Sequence, residues 1–103
     1  MPRRKLFKKN EVVKLPNVFI GNPEEIKNKI KDYFNNDRLI TLELGCGYGE
    51  YTTNLAQLFP GKYFIGIDRK GNRIYNGAKQ SLELNLSNVV FLIYNIAQIG
   101  NIF

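Results

Sequence analysis

The sequence predicts an α/β protein with a parallel sheet and helices on both of its faces. Segments with helical periodicity alternate with short apolar segments of strand length, and the connections between them are short. The last of these segments, residues 89–94, is apolar throughout, which is typical of a strand covered on both faces. A glycine-rich turn follows the first strand, at the end of the sheet where open α/β proteins bind ligands.

Capping residues and apolar spacing place the individual elements. The first helix begins at Asn22-Pro23, with Glu25 at the position that completes a capping box. In order, the predicted elements are a helix over 22–34, a strand over 39–44, a helix with Tyr51, Leu55, Leu58 and Phe59 on its apolar face, a strand over 63–67, a helix over 71–86 and a strand over 89–94. Each crossover holds one helix, which predicts right-handed βαβ units.

Composition excludes several kinds of site. The chain has 103 residues, enough for one small domain, and no apolar run approaches the roughly 20 residues that span a bilayer. Cys46 is the single cysteine and there is no histidine, so an intrachain disulfide, histidine acid–base catalysis and a histidine-based zinc site are excluded. We therefore expect no metal site, no membrane segment and no secretory signal, and a reducing cytoplasmic location.

The positive charge is concentrated near the N-terminus. The formal net charge is +6, and residues 1–20 hold six basic side chains and one acidic one. Two prolines and the lack of helical periodicity predict a flexible basic arm over 1–20, in front of a nearly neutral body over 21–103. Such an arm suits a polyanion, and a solvated tail without a partner is the alternative. The side chains expected to contact phosphates are Arg3, Arg4, Lys5, Lys8 and Lys9.

The turn after the first predicted strand carries the candidate binding site. The turn and the acids that flank it are Glu43, Gly45, Cys46, Gly47, Gly49 and, at the end of the second strand, Asp68. The spacing differs from the dinucleotide fingerprint G-x-G-x-x-G, and Glu50 replaces its third glycine with a carboxylate that would repel a pyrophosphate. An acid, then G-x-G-x-G, then an acid ending the next strand is the pattern of class I methyltransferases that bind S-adenosylmethionine.

The acids in this pattern have separate expected roles. Glu43 suits a cationic ligand that carries an amino acid, and Asp68 is placed to accept both hydroxyls of a ribose. Cys46 is interpreted as a small residue tolerated in the turn, with a redox or nucleophilic role as the alternative. Asn95 follows the third strand and is expected either to contact an adenine or to be an ordinary loop residue.

Several stretches resemble the bacterial tRNA (guanine-N(7)-)-methyltransferases. They are residues 15–19, 42–47, 64–73 and 77–92. The chain departs from those relatives at Tyr48, often a lysine there, and at Tyr75, often a tryptophan. The resemblance implies a Rossmann-like class I methyltransferase fold with three layers and a parallel sheet in which the predicted strands lie in the order 3-2-1. It also implies contacts to S-adenosylmethionine at Glu43, Asp68 and Asn95.

By this resemblance, the enzyme transfers a methyl group to N(7) of guanine in tRNA, giving 7-methylguanosine. Guanine N(7) has a free lone pair, so alignment and electrostatics are required and no proton needs to be removed. Members of the family are about twice as long, so the chain is expected to be the cofactor-binding half, with no catalytic residue of its own. The alternatives are a non-catalytic module that binds S-adenosylmethionine or RNA, and a methyltransferase with another substrate. The strand at 39–44 would lie at a free edge, which predicts self-association.

Overall fold

Helices and strands alternate along the chain as the sequence predicts from residue 22 onwards. The computed structural model describes residues 3–35 and 38–103. The elements within these ranges are α1 (Arg3–Val12), β1 (Val18–Phe19), α2 (Pro23–Tyr33), β2 (Ile40–Leu44), α3 (Glu50–Leu58), β3 (Tyr63–Asp68), α4 (Gly71–Glu83), β4 (Val89–Ile93) and a 3₁₀ segment (Ile96–Asn101). The predicted ends differ by a few residues, since the helix expected to reach Leu86 ends at Glu83.

The strands form one parallel sheet in the order β1-β4-β3-β2. The order 3-2-1 is therefore confirmed for the three strands that the sequence predicts, which are β4, β3 and β2. The sheet differs in one detail, because the two-residue strand β1 pairs with β4 through Val18 and Phe19 and forms the outer edge. At the other edge, within the described residues, lies β2.

The expectation of an arm without helical structure is wrong for residues 3–12. Residues 3–12 form helix α1, and Val12 at its end is completely buried. The helix approaches α4 closely at Gly71, where a Cβ atom would lie 2.9 Å from Val12 Cγ1. The sequence does not predict this helix because its apolar residues do not recur at helical spacing. In the structure, Leu6 and Phe7 remain exposed. Tertiary contacts, rather than an amphipathic stripe, hold it in place.

Helix α2 begins as predicted. The Asn22 side chain accepts a hydrogen bond from the Glu25 backbone N–H at 2.9 Å, and its amide donates to Glu25 Oε1 at 2.7 Å. Ile26 and Ile30 are buried one turn apart. The capping group and the apolar stripe together determine where the helix starts and which face it buries.

The sheet separates two apolar cores, which confirms the three-layer arrangement. One core lies with α1, α3 and α4 on one face, and the other lies with α2 and the 3₁₀ segment on the opposite face. In β3 and β4 every position but the last of β4 is buried, as expected for strands covered on both sides. None of the helices in the described ranges is long and apolar enough to cross a membrane.

Helix α3 buries a different face from the one predicted. Tyr51 and Leu58 are 64% and 70% exposed, whereas Thr52, Thr53 and Ala56 are buried. The prediction from apolar spacing is wrong for Tyr51 and Leu58, whereas Leu55 of the same predicted face packs against the core. Both hydroxyls are satisfied inside, that of Thr52 by Glu43 and that of Thr53 by Ser81, so the small polar side chains can pack closely.

We expect Gly77→Ala to destabilise the protein, although alanine favours a helix over glycine by about 1 kcal/mol. A Cβ atom at Gly77 would lie 2.7 Å from the Tyr48 carbonyl oxygen and 2.8 Å from the Gly49 Cα. Because both are backbone atoms, no side-chain rotation can relieve the clash. The expected net loss in unfolding free energy is about 1–3 kcal/mol by urea denaturation. Gly61→Ala is the matched control, because no heavy atom lies within 4 Å of that Cβ position. Equal losses in both variants would contradict the prediction.

Candidate functional site

The glycine turn connects the carboxyl end of β2 to the start of α3. Gly45, Gly47 and Gly49 have φ values of +76°, +55° and +76°, in the left-handed region that side chains disfavour. The Gly45 and Cys46 N–H groups donate to the Ile67 carbonyl on β3 at 2.8 and 3.0 Å. The turn is therefore anchored to the neighbouring strand, in a conformation that glycine at these positions allows.

Two of the three glycines present bare backbone to open space. Nothing lies within 4 Å of a Cβ atom built on Gly47, and at Gly45 only the Ile96 Cδ1 does, at 3.7 Å. Gly49 is different, because a Cβ atom there would lie 2.8 Å from the Phe91 ring and 3.1 Å from Gly77. Gly49 is thus required for packing, whereas Gly45 and Gly47 leave room for a ligand to approach the backbone.

The Asp68 carboxylate joins the turn to the start of α4. It lies at the end of β3, where it is buried, and its Oδ2 accepts from the Gly47 N–H at 3.0 Å. Its Oδ1 accepts from the Lys70 N–H at 2.9 Å. Charged acceptors make strong hydrogen bonds to backbone N–H groups, so this single carboxylate orients both segments.

Glu43 is held from the other side of the turn. It is half-buried near the end of β2, and its Oε1 accepts a hydrogen bond from the Thr52 hydroxyl of α3 at 2.8 Å. Thr52 therefore orients the Glu43 carboxylate, which the sequence analysis predicts to face a cationic ligand. The sequence does not single out Thr52, although its place two residues after Glu50 in the first turn of the helix is a signal that could have identified it.

Asp68 and Asn95 line the same cleft, which has a volume of about 240 Å³. The full lining is Asp68, Arg69, Lys70, Arg73, Asn95 and Ile96. Asn95 is exposed and also caps the 3₁₀ segment, since its Oδ1 accepts from the Ala97 N–H at 3.1 Å. The structure thus brings together Asp68, Asn95 and, through its N–H group, Gly47. Glu43 lies beside α3 and not in this lining, and contact of any of these residues with a ligand stays a prediction.

The Cys46 side chain is enclosed by the turn and the strand beneath it. Its side chain is buried, and burial, with the nearby negative charges of Asp68 and Glu43, raises its pKa to about 12. A Cβ atom at Gly66 would lie 3.1 Å from the Cys46 Cβ, so the strand beneath it has room only for glycine. These observations favour the interpretation of Cys46 as a small packing residue over a nucleophilic or redox role.

The predicted phosphate-binding side chains lie beside the same end of the sheet. Arg4, Lys5 and Lys8 line a second cleft of about 320 Å³, together with Tyr48 and three residues at the start of α4. Those three residues are Lys70, Asn72 and Arg73. Lys9 lines an adjoining cleft, and the Arg3 side chain lies outside the described residues. The sequence analysis missed Lys70 and Arg73, whose signal is the basic cluster directly after Asp68.

Comparison with known proteins identifies a methyltransferase domain. A family model described as a methyltransferase domain matches residues 35–103. A tRNA (guanine-N(7)-)-methyltransferase from Bacteroides fragilis is 43% identical over all of this chain and 44% of its own length. A protein of the same name from Christiangramia forsetii is 45% identical over 94% of this chain and 46% of its own. The resemblance seen in the sequence is thereby confirmed, and the chain spans about half the length of these relatives.

A solved structure shares the fold. It is titled "Structure of an antibiotic related Methyltransferase" and matches with a TM-score of 0.58 at 29% sequence identity. The match covers 66% of this chain and 36% of the other. It supports the α/β methyltransferase architecture that the sheet order indicates.

The raised pKa of Cys46 predicts a loss of stability at alkaline pH. The unfolded chain releases the thiol proton near the usual value of 9.0, whereas the folded protein keeps it up to about pH 12. The folded state binds more protons in this interval, so the unfolding free energy falls as pH rises from about 9 towards 12. Below pH 9 both states keep the proton and the contribution is constant.

Cys46→Ala isolates this effect from the titration of tyrosines and lysines, which both proteins share. We expect the difference in unfolding free energy between the native sequence and the variant to shrink from pH 8 to pH 10.5 in urea denaturation. A difference that stays constant over that range would show that the thiol ionises equally in both states.

Proposed function

Because the chain belongs to the methyltransferase-domain family, we propose that its glycine turn and the carboxylates Glu43 and Asp68 bind S-adenosylmethionine. The observation that carries this proposal is the open backbone of Gly45 and Gly47 beside the buried Asp68 carboxylate. A cationic ligand that bears hydroxyls suits these groups, since carboxylates accept hydroxyl protons and attract positive charge. The proposed binding unit is the part of the chain over 21–103.

In this proposal each residue contacts a different part of the ligand. Asp68 accepts the ribose hydroxyls, Glu43 faces the cationic amino-acid part, and Asn95 contacts the adenine. The glycine turn, with Cys46 inside it, offers backbone atoms. Asp68 already accepts two backbone N–H groups, so it is held in place before the ligand arrives.

The cofactor supplies an electrophilic methyl group on a sulfonium. In this proposal the chain orients that ligand and stabilises its positive charge with Glu43 and Asp68. Attack by guanine N(7) needs no general base. Cys46 keeps its proton and is given no part in the reaction. No catalytic residue is assigned within the chain. The arrangement supports binding and alignment of the cofactor.

We propose tRNA as the substrate, with methylation at N(7) of a guanine. The 240 Å³ cleft lined by Asp68 and Asn95 is called the cofactor cleft below. Support comes from the names of the relatives and from the basic surface beside this cleft. The proposal includes RNA binding by Arg4, Lys5, Lys8 and Lys9, with Arg3 carried over from the sequence, and a cytoplasmic location. A methyltransferase for another substrate, or a binding module without turnover, would have the same cofactor cleft. Formation of 7-methylguanosine in tRNA incubated with the protein and S-adenosylmethionine separates these possibilities.

We expect Asp68→Asn to weaken binding of S-adenosylhomocysteine by about 1–3 kcal/mol in calorimetric titration, because one ribose acceptor becomes a donor. Asp32→Asn is the matched control, since it makes the same chemical change at an exposed position of α2, on the other face of the sheet. Equal affinities in the native protein and the Asp68 variant would remove Asp68 from the site. Tight binding of NAD in place of S-adenosylhomocysteine would overturn the cofactor proposal.

We also propose that the chain self-associates through the edge of β2. Leu39, Ile40 and Leu44 are exposed there, and an apolar edge strand is a template for pairing with another chain. Leu39→Lys, at a position that is 70% exposed, should lower the apparent mass at high concentration in sedimentation. Leu84→Lys on the end of α4 is the control and should have no effect. A native chain that stays monomeric over the whole concentration series would contradict this proposal.

A further inference from the structure

Helix α1 and the start of α4 form a continuous basic groove next to the cofactor cleft. One part is the 320 Å³ cleft that α1 shares with Tyr48 and the first turn of α4. The other part has a volume of about 220 Å³ and is lined by Lys5, Lys9, Arg69, Lys70, Gly71 and Asn72. The two parts share Lys5, Lys70 and Asn72, and neither lining contains a carboxylate.

Within the described part of the chain, the cations of this groove form no ion pair with a carboxylate. The ion pair present in residues 3–35 and 38–103 is Lys14–Glu11, at the C-terminal end of α1 and outside the groove. The Asp68 carboxylate, in the lining of the adjoining cleft, accepts hydrogen bonds from the N–H groups of Gly47 and Lys70. Like charges held close together repel each other, so a bound polyanion would relieve a cost that the folded protein carries.

The groove is held in shape by packing. Gly71 lets Val12 approach α4 closely, and the Phe7 ring contacts the Tyr75 ring edge to face at a centroid distance of 6.1 Å. The Lys79 ammonium lies 5.6 Å from the centroid of the same Tyr75 ring. These contacts fix the helix that carries Arg4, Lys5 and Lys8, so less ordering is needed when a ligand binds.

Tyr48 gives the groove an aromatic wall on the side of the glycine turn. Its side chain is 56% exposed, and its carbonyl oxygen packs against Gly77, which anchors its backbone. Lys70 and Arg73 line both the groove and the cofactor cleft, so the two sites adjoin. Exposed aromatic rings among cations are what proteins use to stack unpaired bases along a nucleic-acid backbone.

We infer that this groove binds an RNA backbone and that Tyr48 stacks on an unpaired base beside the cofactor cleft. The inference rests on the proposed function and extends it from a basic arm to a composite surface of α1, α4 and the glycine turn. An unpaired base is required because a base within a duplex has no free face for the ring. Tyr48 is a positioning residue in this role, and it forms no bond to the reacting atoms.

Asn72→Asp tests the backbone contact. It places a carboxylate in both parts of the groove, outside the lining of the cofactor cleft, and at a position in the first turn of α4 where an acid favours the helix. Loss of fold is therefore not the expected result. Asn28→Asp is the matched control on an exposed position of α2, on the opposite face of the sheet.

In filter binding, we expect Asn72→Asp to lower tRNA affinity about tenfold at low salt and to reduce the slope of log affinity against log salt. Asn28→Asp should change affinity less than about twofold, and both variants should keep their affinity for S-adenosylhomocysteine. Equal tRNA affinity in the two variants would contradict the inference that this groove binds RNA. A native chain that binds S-adenosylhomocysteine and not tRNA would also overturn it, while the cofactor proposal would stand.

Tyr48→Ala tests the stacking role, with Tyr48→Phe as the variant that keeps the ring. We expect Tyr48→Ala to lower affinity for tRNA and for a single-stranded RNA by about tenfold, and Tyr48→Phe to restore it. Affinity for an RNA duplex without unpaired bases should be the same in all three proteins. A loss with the duplex as well would show that Tyr48 acts through the shape of the turn. Methylation that fails while these binding differences persist would count against the proposed activity and not against the groove.

Discussion

The close approach of two backbones, at Gly49 and Gly77, is the constraint on which the rest of the site depends. A Cβ atom on either residue would lie within 3.1 Å of the other residue's Cα, so the turn and α4 can pack this closely only because both positions are glycine. The contact places the middle of α4 beside the turn. The remaining turn glycines, Gly45 and Gly47, make no such close contact, and their backbone faces open space.

Asp68 depends on this contact and in turn stabilises it. Its two oxygens accept from the turn at Gly47 and from the helix start at Lys70, so one carboxylate connects the pieces that the glycines bring together. The same carboxylate is the proposed acceptor for ribose hydroxyls. Loss of the carboxylate would remove its hydrogen bonds to both segments together with the proposed contact to the ligand, so local stability and the proposed binding depend on the same group.

The packing of α1 places basic side chains next to the cleft of Asp68 and Asn95. A third glycine, Gly71, allows Val12 of α1 to pack closely against α4. This packing holds the basic side chains of α1 along one side of the groove. The cations that follow Asp68 in the sequence then lie opposite those of α1, although more than 60 residues separate Lys5 from Lys70 along the chain. Charge at a site depends on where helices pack as much as on which residues the chain contains.

The sequence alone determined the parallel sheet, the start of α2 at Asn22 and the position of the glycine turn. Each depends on signals within a few residues, such as a capping side chain, an apolar run or alternating glycines. Tertiary structure decided that residues 3–12 form a helix, that β1 pairs with β4, and that Thr52 and Thr53 face inward on α3. The physical reason is that these features depend on partners distant in sequence. A buried threonine requires an acceptor such as Glu43, and a helix without an apolar stripe requires a surface to pack against.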